Sequence, residues 1–159
     1  MGGKRQWIVA APLALELIWN GKNLAGIRLD WAKSRKGDKA LSGLSEQVAV
    51  GLAKYVRGQP AKWPDMPLDT DGMSEFKSRV LMTLASDVPH GSTVSYGELA
   101  GMCGKPEAAR AVGRIMASNP WPLLVPCHRV VGADGKLTGF SGCGLPMKKF
   151  LLQLEGVNI

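Results

Sequence analysis

Ser95-Tyr96-Gly97-Glu98-Leu99-Ala100-Gly101-Met102-Cys103-Gly104 and, directly after it, Lys105-Pro106-Glu107-Ala108-Ala109-Arg110-Ala111-Val112-Gly113-Arg114-Ile115-Met116-Ala117-Ser118-Asn119-Pro120 read as two short helices around a tight turn. Ser95 and Glu98 have the spacing of a capping box, in which each side chain satisfies the other's backbone N–H. Gly104 stops the first helix. Pro106 suits the first turn of the second, Glu107 favours its positive end, and Asn119-Pro120 terminates it. The pair forms a helix-turn-helix pattern. Arg110 and Arg114 stand four apart and share a face of the second helix. Ala109, Ala111, Gly113 and Ala117 keep that helix slim, so that it can approach a nucleic-acid backbone closely. The same pattern also fits an αα-corner that binds no DNA.

Working toward the C-terminus, Leu123-Leu124-Val125-Pro126-Cys127-His128-Arg129-Val130-Val131 pins a thiol, an imidazole and a guanidinium between two apolar segments. Chemistry at the tip of a buried turn is implied. A free thiol is only a few per cent thiolate near neutral pH and needs a base, which in turn needs an orienting partner. Neighbouring side chains in an extended segment point to opposite sides, so contact between Cys127 and His128 demands a turn or a bridging water. Glu155, at the end of the last helix, is a candidate to hold the far nitrogen of His128. Each residue also has a plainer reading, as a small buried hydrophobe or a solvated helix end. Val130-Val131 and Leu137 flank the turn sequence Ala133-Asp134-Gly135 and suggest a β-ribbon or wing. A glycine-rich loop holding Ser141 spans 138–144, and Pro146 opens a last helix carrying Phe150, Leu151 and Leu154.

Working toward the N-terminus, Ser74 caps a helix through Phe76, Val80, Leu81 and Leu84 that ends at Asp87-Val88-Pro89. The stretch 58–72, with Pro60, Pro64 and Pro67, reads as a linker. Before it, Leu44–Val56 has helix character with Ser45 as candidate N-cap. Leu13–Trp31 alternates around Asn20-Gly21 as a hairpin with a type I′ turn, and Gly2–Ala11 adds a strand. The basic run 33–39 is a solvated loop. The expectation is an α+β chain. A small N-terminal α/β support domain covers residues 1–68, and a mostly helical winged helix-turn-helix domain covers 69–159.

Hydrophobic residues make up 45% of the chain and charged residues 21%, an ordinary globular balance that excludes a disordered chain. No apolar run approaches the roughly 20 residues of a membrane span, and no secretion signature is evident. Three unpaired cysteines fit a reducing compartment. A cytoplasmic location is expected, nucleoid-associated in a bacterium or archaeon and nuclear in a eukaryote. The net charge of +7, from 20 basic and 13 acidic residues, favours a polyanionic partner or serves solubility alone. Seven of the basic residues lie between Lys105 and Lys149, against Glu107 and Asp134 alone.

Pro126-Cys127-His128-Arg129-Val130 resembles the active-site signature of the O6-alkylguanine-DNA alkyltransferases, the methylated-DNA–protein-cysteine methyltransferases. Val94–Ala100, Ala108–Gly113, Asn119-Pro120 and Leu151–Gly156 resemble the same family in the same order, so the likeness runs from about Ser74 to Gly156. It implies that Cys127 is nucleophile and permanent alkyl acceptor. His128 would act as base through a water, oriented by Glu155, and Asn119 would brace the turn. Tyr96 would donate to the guanine ring, and Arg110 would fill the gap left by an extruded base. Ser141, Phe140 and Pro126 would line the pocket. Ser95, Ala109, Ala111, Gly113, Arg114 and Arg129 complete the expected substrate and DNA contacts.

The resemblance implies minor-groove entry into double-stranded DNA that contains O6-alkylguanine, with the nucleotide flipped out for reaction. No second reactive group regenerates a thioether, so turnover is single, with no cofactor. A monomer is expected, without membrane association, and cooperation along DNA stays open. Some relatives carry a structural zinc in the N-terminal domain, but no cysteine or histidine precedes His90 here, so no metal is expected. The loop departs from the common pattern, with Phe140 for tyrosine and Cys143 as an extra residue. Competing readings are a non-enzymatic DNA or lesion binder, in which the acceptor cysteine would be replaced, and a cysteine hydrolase, for which no separate histidine–asparagine pair is evident.

Overall fold

The structure, a computed structural model, describes residues 3–41, 43–139 and 143–159. The chain divides into two compact units, Met1–Thr70 and Asp71–Ile159. Among the described residues, no helix is long and apolar enough to cross a membrane.

In the first unit β1 (Arg5–Ala10), β2 (Leu13–Asn20) and β3 (Asn23–Trp31) form an antiparallel sheet in the order β1-β2-β3, and α1 (Leu44–Tyr55) packs on β1. Side chains alternate across a strand, so Leu13, Leu15 and Leu17 share one face of β2. Ile8 and Leu29 stand directly opposite Leu15 on either side, and all three are buried. The other face puts Trp7 and Arg28 opposite Glu16. Glu16 is buried, and Arg5 at 2.9 Å and Arg28 at 3.5 Å compensate its charge. Arg28 and Arg35 both lie over the Trp7 ring, at 5.1 and 4.0 Å from its centroid.

Two local expectations are corrected here. Asn20 pairs with Asn23, so the β2–β3 turn is Gly21-Lys22. Only Gly21 of these takes positive φ, at 61°, which is the demand of a type II′ rather than a type I′ turn. A bulge between Ile18 and Trp19 supplies the shift of register. Ser45 does not cap α1: the N-cap is Gly43, and the buried Ser45 hydroxyl accepts from Gln6 at 3.4 Å. Gly51 faces Trp63 so closely that a Cβ there would sit 2.9 Å from the indole, which leaves glycine as the residue that fits.

The second unit contains α2 (Glu75–Asp87), β4 (Val94–Ser95), α3 (Tyr96–Met102), α4 (Ala109–Ala117), β5 (Val130–Val131) and α5 (Gly144–Leu154). Ser74 caps α2 by accepting from Lys77 N–H. The capping box of α3 is complete: Ser95 Oγ accepts from Glu98 N–H and Glu98 Oε1 accepts from Ser95 N–H, both at 3.0 Å. Helix α4 begins at Ala109, so Pro106 and Glu107 lie in the turn before it and not in its first turn. Val80, Leu81, Leu84, Leu99, Val112 and Ile115 of the three helices form a buried core. The expected ribbon reduces to β5, which pairs in parallel with β4, and a turn closed by Gly132 N–H to the Lys136 carbonyl at 2.9 Å. Leu137 joins no strand.

Candidate active site

Asn119, just past the end of α4, organises the turn that leads to the thiol. Its Oδ1 accepts from Trp121 N–H at 3.0 Å, and its Nδ2 donates to the Val125 carbonyl at 2.9 Å. Val125 N–H closes the same turn on the Trp121 carbonyl at 2.9 Å. Between them the buried Leu123 is held at φ 78°, a left-handed conformation that costs a leucine about 1–3 kcal/mol. Pro126 follows with φ −79° and ψ 66°, and Cys127 N–H reaches back to the Val125 carbonyl at 2.7 Å. That is an inverse γ-turn around a proline. It delivers Cys127 as the first residue of a single 3₁₀ turn, Cys127–Arg129, and the pairing of β5 with β4 fixes the far end.

Three residues complete a 3₁₀ turn, so successive side chains diverge around it. Cys127 and His128 therefore face different surroundings. Cys127 is 3% exposed, and its burial pushes the thiol up. A hydrogen bond from the Asn119 side chain, the charge of Lys148 and the N–H groups of Cys127 and His128 act in the opposite direction. Lys148 is itself buried, its ammonium donating to the carbonyls of Val130 at 2.6 Å and Thr138 at 3.1 Å. Burial holds that lysine below its ordinary range, and the thiol opposite raises it.

His128 is fully buried, with Nε2 2.6 Å from Glu155 Oε2. Glu155 also accepts from Arg129 Nε at 2.8 Å, Arg129 Nη2 at 3.2 Å and Gly91 N–H at 3.2 Å. A carboxylate surrounded by donors in this way acts as an acceptor, so Nε2 of His128 is the donor and Nδ1 carries the basic lone pair. Burial pushes the imidazole below its ordinary range; Glu155 pulls it up, while the charges of Arg129 and Lys148 push it further down. On balance burial favours the neutral ring over the imidazolium. Among the described residues, no group of three or more His, Cys, Asp or Glu side chains could hold a metal ion.

Residues 75–157 match the family model described as the DNA-binding domain of 6-O-methylguanine DNA methyltransferase. A methylated-DNA–protein-cysteine methyltransferase of Mycolicibacterium paratuberculosis is 44% identical over 137 residues, 84% of this chain and 78% of its own. The chain belongs to this methyltransferase family. Its member from Mus musculus is 36% identical over 170 residues, 94% of this chain and 80% of its own. The crystal structure of Mycobacterium tuberculosis OGT in complex with DNA is similar throughout, with a TM-score of 0.73 at 35% identity, and covers 94% of this chain and 90% of that one.

The residues expected from the family signature fall into two groups. Cys127, His128, Glu155, Asn119 and Pro126 come together around the 3₁₀ turn. Arg129 joins them: its guanidinium lies on Glu155, and Nη1 donates to the Val88 carbonyl at 2.8 Å, so it is placed in the buried network and not at the open surface expected of a DNA contact. On the helix-turn-helix, Arg110 and Arg114 of α4 are exposed, while Ala109, Ala111 and Gly113 are half-buried. A Cβ on Gly113 would lie 3.9 Å from the Tyr96 ring, which puts α4 against that tyrosine. The Ser95 hydroxyl is engaged in the cap of α3. Phe140 and Ser141 lie outside the described residues.

Sequence reasoning missed Lys148 and Thr138. Lys148 carried a usable signal, because it stands at i, i+3, i+4 and i+7 with Leu151, Leu152 and Glu155, on the inward face of α5. A lysine on an apolar stripe is a buried cation looking for partners. Thr138 carried none.

Proposed function

We propose that this chain repairs DNA by taking the alkyl group of O6-alkylguanine onto Cys127 irreversibly, restoring guanine in a single turnover. This is the activity in the names of its relatives, methylated-DNA–protein-cysteine methyltransferases. The observation that supports it best is the buried thiol of Cys127, set among Asn119, Lys148 and two backbone N–H groups and next in the chain to an imidazole oriented by Glu155. A water relays the thiol proton to Nδ1 of His128. The sulfur lone pair then attacks the alkyl carbon in line with the departing oxygen. The S–C bond forms, the C–O6 bond breaks, and its electron pair stays with guanine. The Tyr96 hydroxyl, with Ser141, meets the charge that develops there.

A duplex hides the alkyl group inside the base stack, so the nucleotide must be extruded at a cost of roughly a few kcal/mol. The exposed Arg110 occupies the space it leaves, and Arg114 meets the phosphates. The small residues of α4 suit the narrow minor groove. The protein acts as a monomer.

Incubation with duplex DNA carrying a labelled O6-methyl group tests this reading. One label per chain should appear on Cys127, and Cys127→Ala should transfer none while still binding duplex DNA. Label that turns over, or binding of the lesion without transfer, would overturn it.

A further inference from the structure

The Tyr96 hydroxyl lies 2.6 Å from Thr138 Oγ1. Thr138 is not loosely placed: Lys148 donates to its carbonyl at 3.1 Å and to the Val130 carbonyl at 2.6 Å, three residues beyond Cys127. Tyr96 follows directly on Ser95, which pairs with Val131 in the β4–β5 ladder. Both ends of the tyrosine, backbone and phenol, are thus referenced to the segment that leaves the nucleophile turn.

Within this pair either hydroxyl can be the donor, because both hydrogens rotate. A guanine bound as proposed above leaves one choice. When the Tyr96 O–H points at the base, the phenolic oxygen can only accept, and Thr138 must donate to it. Hydrogen bonds in such a chain reinforce one another.

We propose that Thr138 is a positioning residue for the leaving group, whose hydroxyl donates to the phenolic oxygen of Tyr96 and so directs the Tyr96 O–H at the departing guanine. The inference rests on the alkyl-transfer reading of the site. Thr138 keeps its own proton throughout. As the C–O6 electron pair passes to guanine and draws on the tyrosine proton, the threonine hydrogen bond stabilises the partial charge left on the phenolic oxygen. The Lys148 contact to the Thr138 carbonyl holds the donor in place.

The test uses Thr138→Val, which removes the hydroxyl at nearly constant shape, and Thr138→Ser, which keeps it. Single-turnover transfer is measured from O6-methylguanine in duplex DNA and from free O6-benzylguanine. Alkylation of Cys127 by iodoacetamide serves as control, because iodide leaves without a proton. The maximal rate from both guanine substrates should fall about three- to tenfold in Thr138→Val, the size of one neutral hydrogen bond, with DNA affinity and the iodoacetamide rate unchanged. Thr138→Ser should restore the rate, and in a Tyr96→Phe background Thr138→Val should cost nothing further. Unchanged rates, equal slowing with iodoacetamide, or additive losses with Tyr96→Phe would overturn the role of Thr138 and leave Cys127 as acceptor untouched. Failure of the unmutated chain to accept an alkyl group from either guanine would overturn both.

Discussion

Arg129 and Glu155 meet side-on, Nε to Oε1 at 2.8 Å and Nη2 to Oε2 at 3.2 Å, inside the site and not on the surface. The Arg129 side chain is 11% exposed and the Glu155 side chain is fully buried. The same carboxylate orients His128, so the ion pair decides how firmly that imidazole, the proposed base, is held.

Arg129→Met should therefore act on stability and on the base together. It leaves a buried carboxylate short of its main counter-charge, a change that typically costs about 3–5 kcal/mol. It also removes one of the cations that push His128 down, so any acid limb of the transfer rate should move to higher pH. Arg129→Lys keeps the charge without the bidentate geometry and should fall between. A urea midpoint and acid limb unchanged in Arg129→Met would remove the ion pair from both roles.

The pH dependence follows from opposite displacements of two neighbours. Burial pushes Cys127 up and His128 down. Between the ordinary histidine range and the ordinary thiol range His128 is already neutral and the thiol still holds its proton, so the reactive pair is fully formed and the single-turnover rate should be level across that window and fall only on its acid side. Stability should move the other way from a solvated histidine pair: the unfolded chain binds the His128 proton below about pH 6.5 and the folded chain does not. Unfolding free energy should thus decline as pH falls below that value, with a contribution of up to about 1.4 kcal/mol per pH unit that His128→Gln lacks. Equal slopes in the two proteins would sink this account.

Asn119→Ala removes both braces of the turn. Trp121 N–H and the Val125 carbonyl lose their partners, at about 1–3 kcal/mol for each group left buried and unsatisfied. The thiol loses the Asn119 hydrogen bond that opposes its burial. Slower iodoacetamide alkylation of Cys127 at neutral pH, with duplex binding retained, is the expected pattern. A variant with normal thiol reactivity would separate the brace from the chemistry.

Gly113→Ala distinguishes folding from DNA contact. Its Cβ would meet the Tyr96 ring at 3.9 Å, an ordinary contact, and alanine in a helix interior gains roughly 0.5–1 kcal/mol over glycine. The melting temperature should rise slightly, and transfer from free O6-benzylguanine should be unaffected. Duplex affinity should fall if α4 enters a groove. Unchanged duplex affinity would place Gly113 outside the contact.

Much of the second unit was legible because its signals are local. The capping box at Ser95 and Glu98, the Ser74 cap and the stop at Asn119-Pro120 each need only a few consecutive residues, and each appears where expected in type. Glu155 was legible as a partner of His128 through the family signature and its helix-end position. What failed depended on long-range geometry. Pro106 suits a first helical turn by propensity, but the chain turns there before α4 starts. Ser45 looked like a cap because its hydroxyl is a good acceptor, yet its partner is Gln6, far away in sequence. Arg129 came with the family signature as a substrate or DNA contact, and the signature says nothing of its partners in the fold. Only the fold shows that Val88, Gly91 and α5 converge on it and its carboxylate partner.

The burial of Cys127 has a meaning beyond its effect on acidity. On the proposed reading Cys127 reacts only once, so it has no second chance after an encounter with an oxidant, a disulfide or a small electrophile. With 3% of the residue accessible, restricted admission adds to the restraint that burial already places on the sulfur by pushing the thiol up. On that reading the walls around Cys127 set the working lifetime of each molecule before it meets a lesion.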